Sequence, residues 1–481
     1  MLFGKKMKID EIVKDESKIP DIKDFLIVIS TFILVAFFYY VQPLNNLDQT
    51  GQTMIGILLM ATILWVTEPI PLPATGLLVM IIQPLLGLVS SSDVFSSFGN
   101  QAVFFLIGAF IIAAAIEKHG LHRRIALNFL RFFKNSPRIF TFGIMCSCAF
   151  LSFIMPEHGV AALFLPIILS ILIAMKIVPK ESNFGKISML SIAYGCSIGS
   201  IGTLVGGARN PLTVGILYSE TGYTIGFFEW MTYSIPVVLI CLPIVWLVLQ
   251  FTFPIEIKNI KKAREEISEQ VKKAGRINTN EIMVLSILLI TIFLWMFFSH
   301  HTNFGLAIIA IIGSSLLFIT KTVNWKDIEK RVPWGIILLY GGAITLGLGI
   351  NQTGAGEWIA GQLFKAVGTN PFLVILVMII FTIFMTNIMS NAAAVAILLP
   401  LGLSIATQID GISSLFAAML VALSAGLAFI LVIATPGNAI TYSSGYFSTK
   451  DLFKGGIISN ILCILVIFVI AIVYWKGVLG L

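Results

Sequence analysis

Apolar runs of about 18 to 25 residues recur along the chain, long enough as helix to cross a hydrocarbon core about 30 Å thick. From Phe25 onward they predict spans near 25–43, 54–67, 74–90 and 101–117, then 187–217, 231–253, 282–299, 303–320 and 333–350, and finally 413–440 and 456–475. That makes about eleven transmembrane helices. Two further apolar segments, 139–175 and 371–404, carry polar residues at their midpoints and read as re-entrant hairpins. The alternating pattern over about ten residues that marks a membrane β-strand is absent. The pattern predicts an all-α integral membrane protein.

Composition strengthens this reading. The 481 residues are 57% hydrophobic and 11% charged, whereas a soluble domain carries roughly 25% charged residues. Most of the outer surface must therefore face lipid. Residues 1–24 hold six lysines and six acids with no apolar stretch or small-residue cleavage site, so they read as a cytosolic tail and not a signal peptide. Cys146, Cys148, Cys196, Cys241 and Cys463 all lie in apolar segments. Their spacing fits neither a metal site nor a disulfide framework, which leaves them as small core residues.

The net charge of +7 reads as a topology signal and not as a nucleic-acid site. With the amino terminus in the cytosol, 28 Lys and Arg fall inside, Lys365 and Lys476 fall outside, and Arg209 lies within a span. The positive-inside rule favours that orientation and a multi-pass protein of the cytoplasmic membrane. The polar stretch 254–280 is a cytosolic linker between a first half, 25–253, and a second half, 281–481.

The halves repeat each other at a constant offset of 234 residues. Gly108-Ala109 aligns with Gly342-Ala343, Gly120 with Gly354, and FLSFIMPEHGVAALFLP (150–166) with FMTNIMSNAAAVAILLP (384–400). The topology puts the first hairpin inside and the second outside, so the repeats are inverted. Each hairpin is followed by a span with a polar break: GTLVGGARNPL within 187–217 and ATPGNAITYSSG at the end of 413–440. Gly206, Gly207, Pro211, Pro436 and Gly437 disfavour continuous helix there. Backbone leaves the helix at membrane depth only where it is buried in protein or lines a wet cavity. Four such breaks, paired by inverted repeats, predict an alternating-access carrier for a small anion.

At these motifs the chain resembles the divalent anion/sodium symporter family. WVTEPIPLPATGLLVMIIQPLLGL (65–88), FLIGAFIIAAAIEKHGLHRRIAL (105–127), SNA (390–392), GGARN (206–210) and ATPGN (434–438) are similar to its signatures. The resemblance implies a homodimer, a scaffold domain, and a transport domain that moves as an elevator. It further implies an anionic substrate held by two hairpin-tip motifs with sodium as coupling ion. Carried over by position, Ser152, Thr386, Ser390, Asn391, Ala434 and Asn438 match cation-binding positions. Asn210, Ser390, Asn391 and Asn438 match substrate-binding positions, and no organic cofactor is implied.

The first tip departs from the pattern. The expected Ser-Asn-Thr is Pro156-Glu157-His158, and the second tip ends in Ala392. Proline has no side-chain oxygen and histidine is a poor sodium ligand. The departure argues against the usual sodium site at the first hairpin and leaves one at the second. Glu157, His158 and Arg209 are ionisable at membrane depth, where charge is costly, so all three are candidate substrate-site residues. Either His158 or Arg209 would attract the anion, Glu157 would pair with one of them, and His158 brings proton coupling within reach. Arg209 is also suited to grip an oxyanion in bidentate fashion. The substrate is read as a dicarboxylate, with a sulfate-like oxyanion as the alternative. An intramembrane enzyme using Glu157 and His158 is the remote alternative, since no nucleophile–base constellation or HExxH motif accompanies them.

Four other groups are read as structural. Glu68 would fix a helix junction. Glu117, Lys118, His119, His122, Arg123 and Arg124 would form a surface helix reaching toward lipid headgroups. His300-His301 would lie in an outer loop, and the phenylalanines would face lipid and core.

Overall fold

The computed structural model describes residues 22–133, 136–301 and 304–481, and every regular element within them is helical. Most of the polar tail at 1–24 lies outside the described residues. The first half holds α1 (Ile22–Val41), α2 (Gln49–Thr67), α3 (Leu72–Leu85), the short α4 (Ser91–Ser96), α5 (Gln101–Lys118) and α6 (Leu121–Leu130). Then come α7 (Pro137–Leu151), α8 (Glu157–Ala174), α9 (Asn183–Ser200), α10 (Arg209–Thr221) and α11 (Phe227–Thr252). The linker forms α12 (Lys261–Lys273).

The second half follows the same plan with α13 (Thr279–Phe298), α14 (Gly305–Ile319), α15 (Trp325–Arg331), α16 (Trp334–Gln352) and α17 (Ala355–Val367). It ends with α18 (Pro371–Ile388), α19 (Asn391–Ala406), α20 (Ser414–Ser424), α21 (Pro436–Tyr442) and α22 (Thr449–Val469), which continues as a π-helical stretch to Lys476. Among the described residues nine helices are long and apolar enough to cross a membrane by themselves, and α3 and α14 are shorter apolar helices. The first of these stops at Leu85, earlier than the predicted 90, because the chain turns through Gly87 at φ +71°. Polar residues between the apolar runs act mainly as helix starts. Asn278 and Glu281 form a capping box on α13, as Asn324 with Asp327 do on α15 and Ser448 with Asp451 on α22.

The two halves interlock through small residues. A Cβ on Gly342 of α16 would lie 2.4 Å from the Cα of Gly76 in α3. At the repeat-related crossing, a Cβ on Gly108 of α5 would lie 2.6 Å from the backbone of Ala310 in α14. The repeat-related helices α5 and α16 each thus lie against a helix of the other half, α14 and α3 respectively, backbone to backbone. Lipid offers no hydrophobic drive for helix association, so such close van der Waals contact supplies it instead.

The basic cluster after α5 does not reach out to headgroups as expected. Lys118 Nζ bonds Asp327 at 2.7 Å and Arg331 bonds Glu117 at 2.9 Å. Arg124 bonds Glu281 at 3.0 Å and donates to the backbone carbonyls of Ala274, Gly275 and Arg276. The cluster pins α5 and α6 to α15, to the α13 start and to the end of α12, because three acids and three carbonyls lie within reach. The bond from Lys118 holds the Asp327 carboxyl below its ordinary range.

Gly342→Leu is expected to destabilise the fold by about 1–3 kcal/mol, since backbone lies where the side chain would go. Gly361→Ala is the control, because a Cβ there meets nothing within 4 Å. Thermal unfolding of both variants in detergent, followed by fluorescence, measures the difference; equal midpoints would refute the crossing's importance.

Candidate functional site

The first hairpin begins where Ser136 caps α7, its Oγ accepting from Ile139 N at 3.2 Å, with Pro137 at the first helical position. After Leu151 the chain turns and re-enters helix at Glu157, preceded by Pro156 with φ −58°. The second hairpin turns more tightly, with Ser390 capping α19 by accepting from Ala393 N at 3.3 Å. Glu157 and Asn391 occupy equivalent positions, 234 residues apart, at the starts of α8 and α19. They meet at the centre, where an amide atom of Asn391 lies 3.3 Å from Glu157 Oε1.

Both interrupted helices are built the same way. In the first, Asn210 Nδ2 donates to Ser200 O at 2.7 Å and Thr203 O at 2.6 Å, ten and seven residues earlier. In the second, Asn438 Nδ2 donates to Ala428 O at 3.0 Å and Leu431 O at 2.9 Å, again ten and seven residues earlier. One amide thereby satisfies two carbonyls that the broken helix leaves unpaired. The break between α20 and α21 begins at Ala425, well before the predicted 434, and ATPGN forms its exit. In both asparagines the remaining Oδ1 is buried without a partner, as is the Oγ of Ser152. The first tip and the first break touch through backbone: Glu157 N donates to Gly206 O at 3.1 Å, and a Cβ on Gly206 would lie 2.5 Å from Ser152 O. Only glycine permits that approach.

Between the two breaks lies a buried ionic network. Arg209, the first residue of α10, is 1% exposed. Its Nη2 donates to Ser200 Oγ at 2.8 Å, Ser200 Oγ donates to Glu157 Oε2 at 2.7 Å, and Arg209 Nη1 lies 3.7 Å from Glu157 Oε2. The guanidinium fits between Gly207 and Gly426, where added Cβ atoms would lie 2.7 Å and 2.5 Å from its nitrogens. The amide of Asn391 completes the set. It donates to Glu157 in one orientation; turned over, it accepts from Arg209 Nη1 at 3.3 Å and donates to Thr386 Oγ1 at 2.8 Å. Thr386 in turn donates to Ala425 O at 2.7 Å in the second break.

The structure therefore brings Glu157, Arg209, Asn391 and Thr386 together, and places Asn210 and Asn438 in the walls beside them. Ser390 serves its helix start, and Ala434 ends a short 3-10 turn. Arg209 is committed to Ser200 and Glu157, so its guanidinium is not free for a bidentate substrate grip in this conformation. Sequence reasoning missed Ser200; the signal was available, since it stands ten residues before Asn210 as Ala428 does before Asn438. His158 lines a cavity of about 410 Å³ together with Glu117, His122 and Arg331. Glu68 ends α2 as a left-handed cap at φ +46°, and His300 Nε2 lies 3.4 Å from the Glu229 carboxylate. No group of three potential metal-ligating side chains occurs among the described residues.

Residues 23–481 match the family model described as the sodium:sulfate symporter transmembrane region. The chain belongs to this family. It is 29% identical to the sodium-dependent dicarboxylate transporter SdcS of Staphylococcus saprophyticus, over 94% of this chain and 92% of that one. The protein of the same name from Staphylococcus aureus strain USA300 is 29% identical over 93% of this chain and 90% of its own. Two solved structures share the fold at low identity. MtrF of Neisseria gonorrhoeae, placed in a class of antimetabolite efflux pumps, has TM-score 0.55 and 12% identity, covering 92% of this chain and 96% of that one. The YdaH transporter of Alcanivorax borkumensis has TM-score 0.54 and 13% identity, covering 95% and 98%. Membership of this symporter family makes the chain a multi-pass membrane transporter and not an enzyme.

Breaking the buried pair on one side is expected to cost about 3–5 kcal/mol, because the other charge is stranded. Arg209→Met should thus lower the unfolding midpoint sharply, and Glu157→Gln with Arg209→Met should recover most of the loss. Thermal unfolding of the single and double variants checks this; additive losses would show that the two charges do not act as a pair.

Proposed function

We propose that this chain is a secondary active transporter that moves a small dicarboxylate across the cytoplasmic membrane by alternating access, with sodium as coupling ion. The observation that carries the reading is the pair of repeat-related breaks, each presenting a buried Asn Oδ1 with no partner beside a hairpin tip. A buried acceptor without a donor is costly, and a small hard cation is the ligand that satisfies oxygens of this kind. Thr386, Ser390, Asn391 and Asn438, with the backbone of Ala434, supply such oxygens at the second tip. The relatives named as sodium-dependent dicarboxylate transporters support both the ion and the substrate class.

At the first tip, Arg209 is a tethered cation standing where the second repeat has Gly437. Glu157 replaces the neutral Asn391 of the other tip, so the exchange is charge-balanced. The starts of α8 and α19 both meet at the centre, where their amide ends favour an anion. The two separated charges of a dicarboxylate suit two such ends better than one compact oxyanion does. In this reading the amino terminus is cytosolic and the repeats are inverted. The hairpins and broken helices move together as a transport domain against a scaffold within a homodimer.

The test is uptake of radiolabelled succinate into proteoliposomes. An inward sodium gradient should drive accumulation, and trapped unlabelled succinate should give counterflow, which a passive channel does not. Asn438→Ala should raise the sodium concentration for half-maximal uptake by about tenfold, equivalent to about 1.4 kcal/mol. Sulfate uptake without succinate uptake would transfer the substrate to compact oxyanions, and sodium-independent succinate uptake would remove the coupling assignment.

A further inference from the structure

The cavity beyond the first tip separates His158 from Arg209 in role. Four of its lining residues are ionisable: Glu117 on α5, His122 on α6, Arg331 at the end of α15, and His158 at the second position of α8. From α21 the cavity receives only Ile440. Arg331 and Glu117 are bound to each other at 2.9 Å. The ring Nδ1 of His122 is buried without a hydrogen-bond partner. Glu117 lies within electrostatic range of both histidines, and Glu157 lies within electrostatic range of His158. His158 itself makes no hydrogen bond or ion pair with any described residue, although it stands beside Glu157 in sequence. The Glu157 carboxylate is committed to Ser200, Arg209 and Asn391.

These surroundings leave the charge of His158 to whatever enters the cavity. Its place in the first turn of α8 puts it near the positive end of a helix, which disfavours the imidazolium. Both acids within electrostatic range of the ring are already paired, Glu157 with Arg209 and Glu117 with Arg331. A dicarboxylate bound between the hairpin tips would place a second negative charge beside the ring and favour its protonation. Binding of the anion and of a proton at His158 are then linked, each strengthening the other by the same factor.

We propose that His158 is a proton site coupled to substrate. It takes a proton from water on the loading side as the anion binds. It returns that proton to water when the anion leaves through the cavity lined by Glu117, His122 and Arg331. One proton then travels with each substrate, in addition to any sodium at the second tip. On the proposed orientation this cavity opens to the cytosol, so the conformation seen here is the releasing one. The inference rests on the transporter reading and goes beyond it by naming a second coupling ion and its residue.

The test uses the full-length chain in proteoliposomes with labelled succinate, equal sodium on both sides and the membrane potential clamped to zero. Between about pH 7 and about pH 8 both carboxylates of succinate are ionised, so speciation does not change. A one-unit gradient, acid on the loading side, should drive about tenfold accumulation if one proton is coupled. In His158→Gln the pH gradient should drive none, whatever uptake rate remains. Calorimetry of succinate binding in buffers of different ionisation enthalpy should show uptake of about one proton by the wild-type protein and none by the variant. Wild-type protein that accumulates succinate under a sodium gradient but not under a pH gradient overturns the proton site and leaves the transporter reading standing. Absence of uptake under either gradient sinks the transporter reading itself. An unchanged pH response in His158→Gln moves the proton to another residue and also overturns the proposal.

Discussion

A carboxylate and a guanidinium buried in the middle of a lipid-embedded helical protein are tolerable only if each is the other's partner. Glu157 and Arg209 meet that condition through Ser200 and a 3.7 Å ion pair. The geometry of the centre follows from it. Arg209 has to begin α10 at the interruption, since only there does its side chain pass between glycines into the space beside the first tip. Glu157 has to open α8, so that its backbone amide also reaches Gly206 O. The contact with Asn391 extends the same network into the second half. The halves are therefore joined at the centre by polar contact, while small-residue crossings join them at α3–α16 and α5–α14.

The interruptions themselves are economical. Breaking a helix in lipid exposes carbonyls that no water can satisfy. A single asparagine, one or two residues into the continuing helix, closes two of them with the two hydrogens of its amide. In both places the amide oxygen is left buried without a partner. The device that makes the break stable is thus the same device that leaves a buried acceptor unsatisfied. Its recurrence at Asn210 and Asn438 with identical spacing is the strongest sign that both halves descend to one construction.

The departure at the first tip changes the chemistry of only half the site. Where the second repeat offers neutral oxygens around Asn391 and Asn438, the first offers a fixed positive charge and its counter-charge. The same departure puts an imidazole where the second tip has Ala392, and that residue lines the cavity. The two novelties of Glu157-His158 are adjacent in sequence, yet they point into different environments, one dry and ionic, the other open and shared with the wall formed by α5, α6 and α15.

The sequence by itself determined the class of protein, the succession of apolar helices and the place of the first break, whereas the second break began nine residues earlier than predicted. These depend on apolar run length and on Gly and Pro placement, which are local and survive without any knowledge of packing. It also singled out Glu157, His158 and Arg209, because charge within apolar segments is visible as such. Only the tertiary structure decided which of them pair. Glu157 and Arg209 lie 52 positions apart, Ser200 looked like any small residue at a helix end, Glu117 and His122 read as surface groups, and nothing in the sequence marked Arg331 until folding set all three around a cavity with His158. Pairing and cavity walls arise from the crossing of distant helices, and no local pattern encodes which face of one helix will meet which face of another.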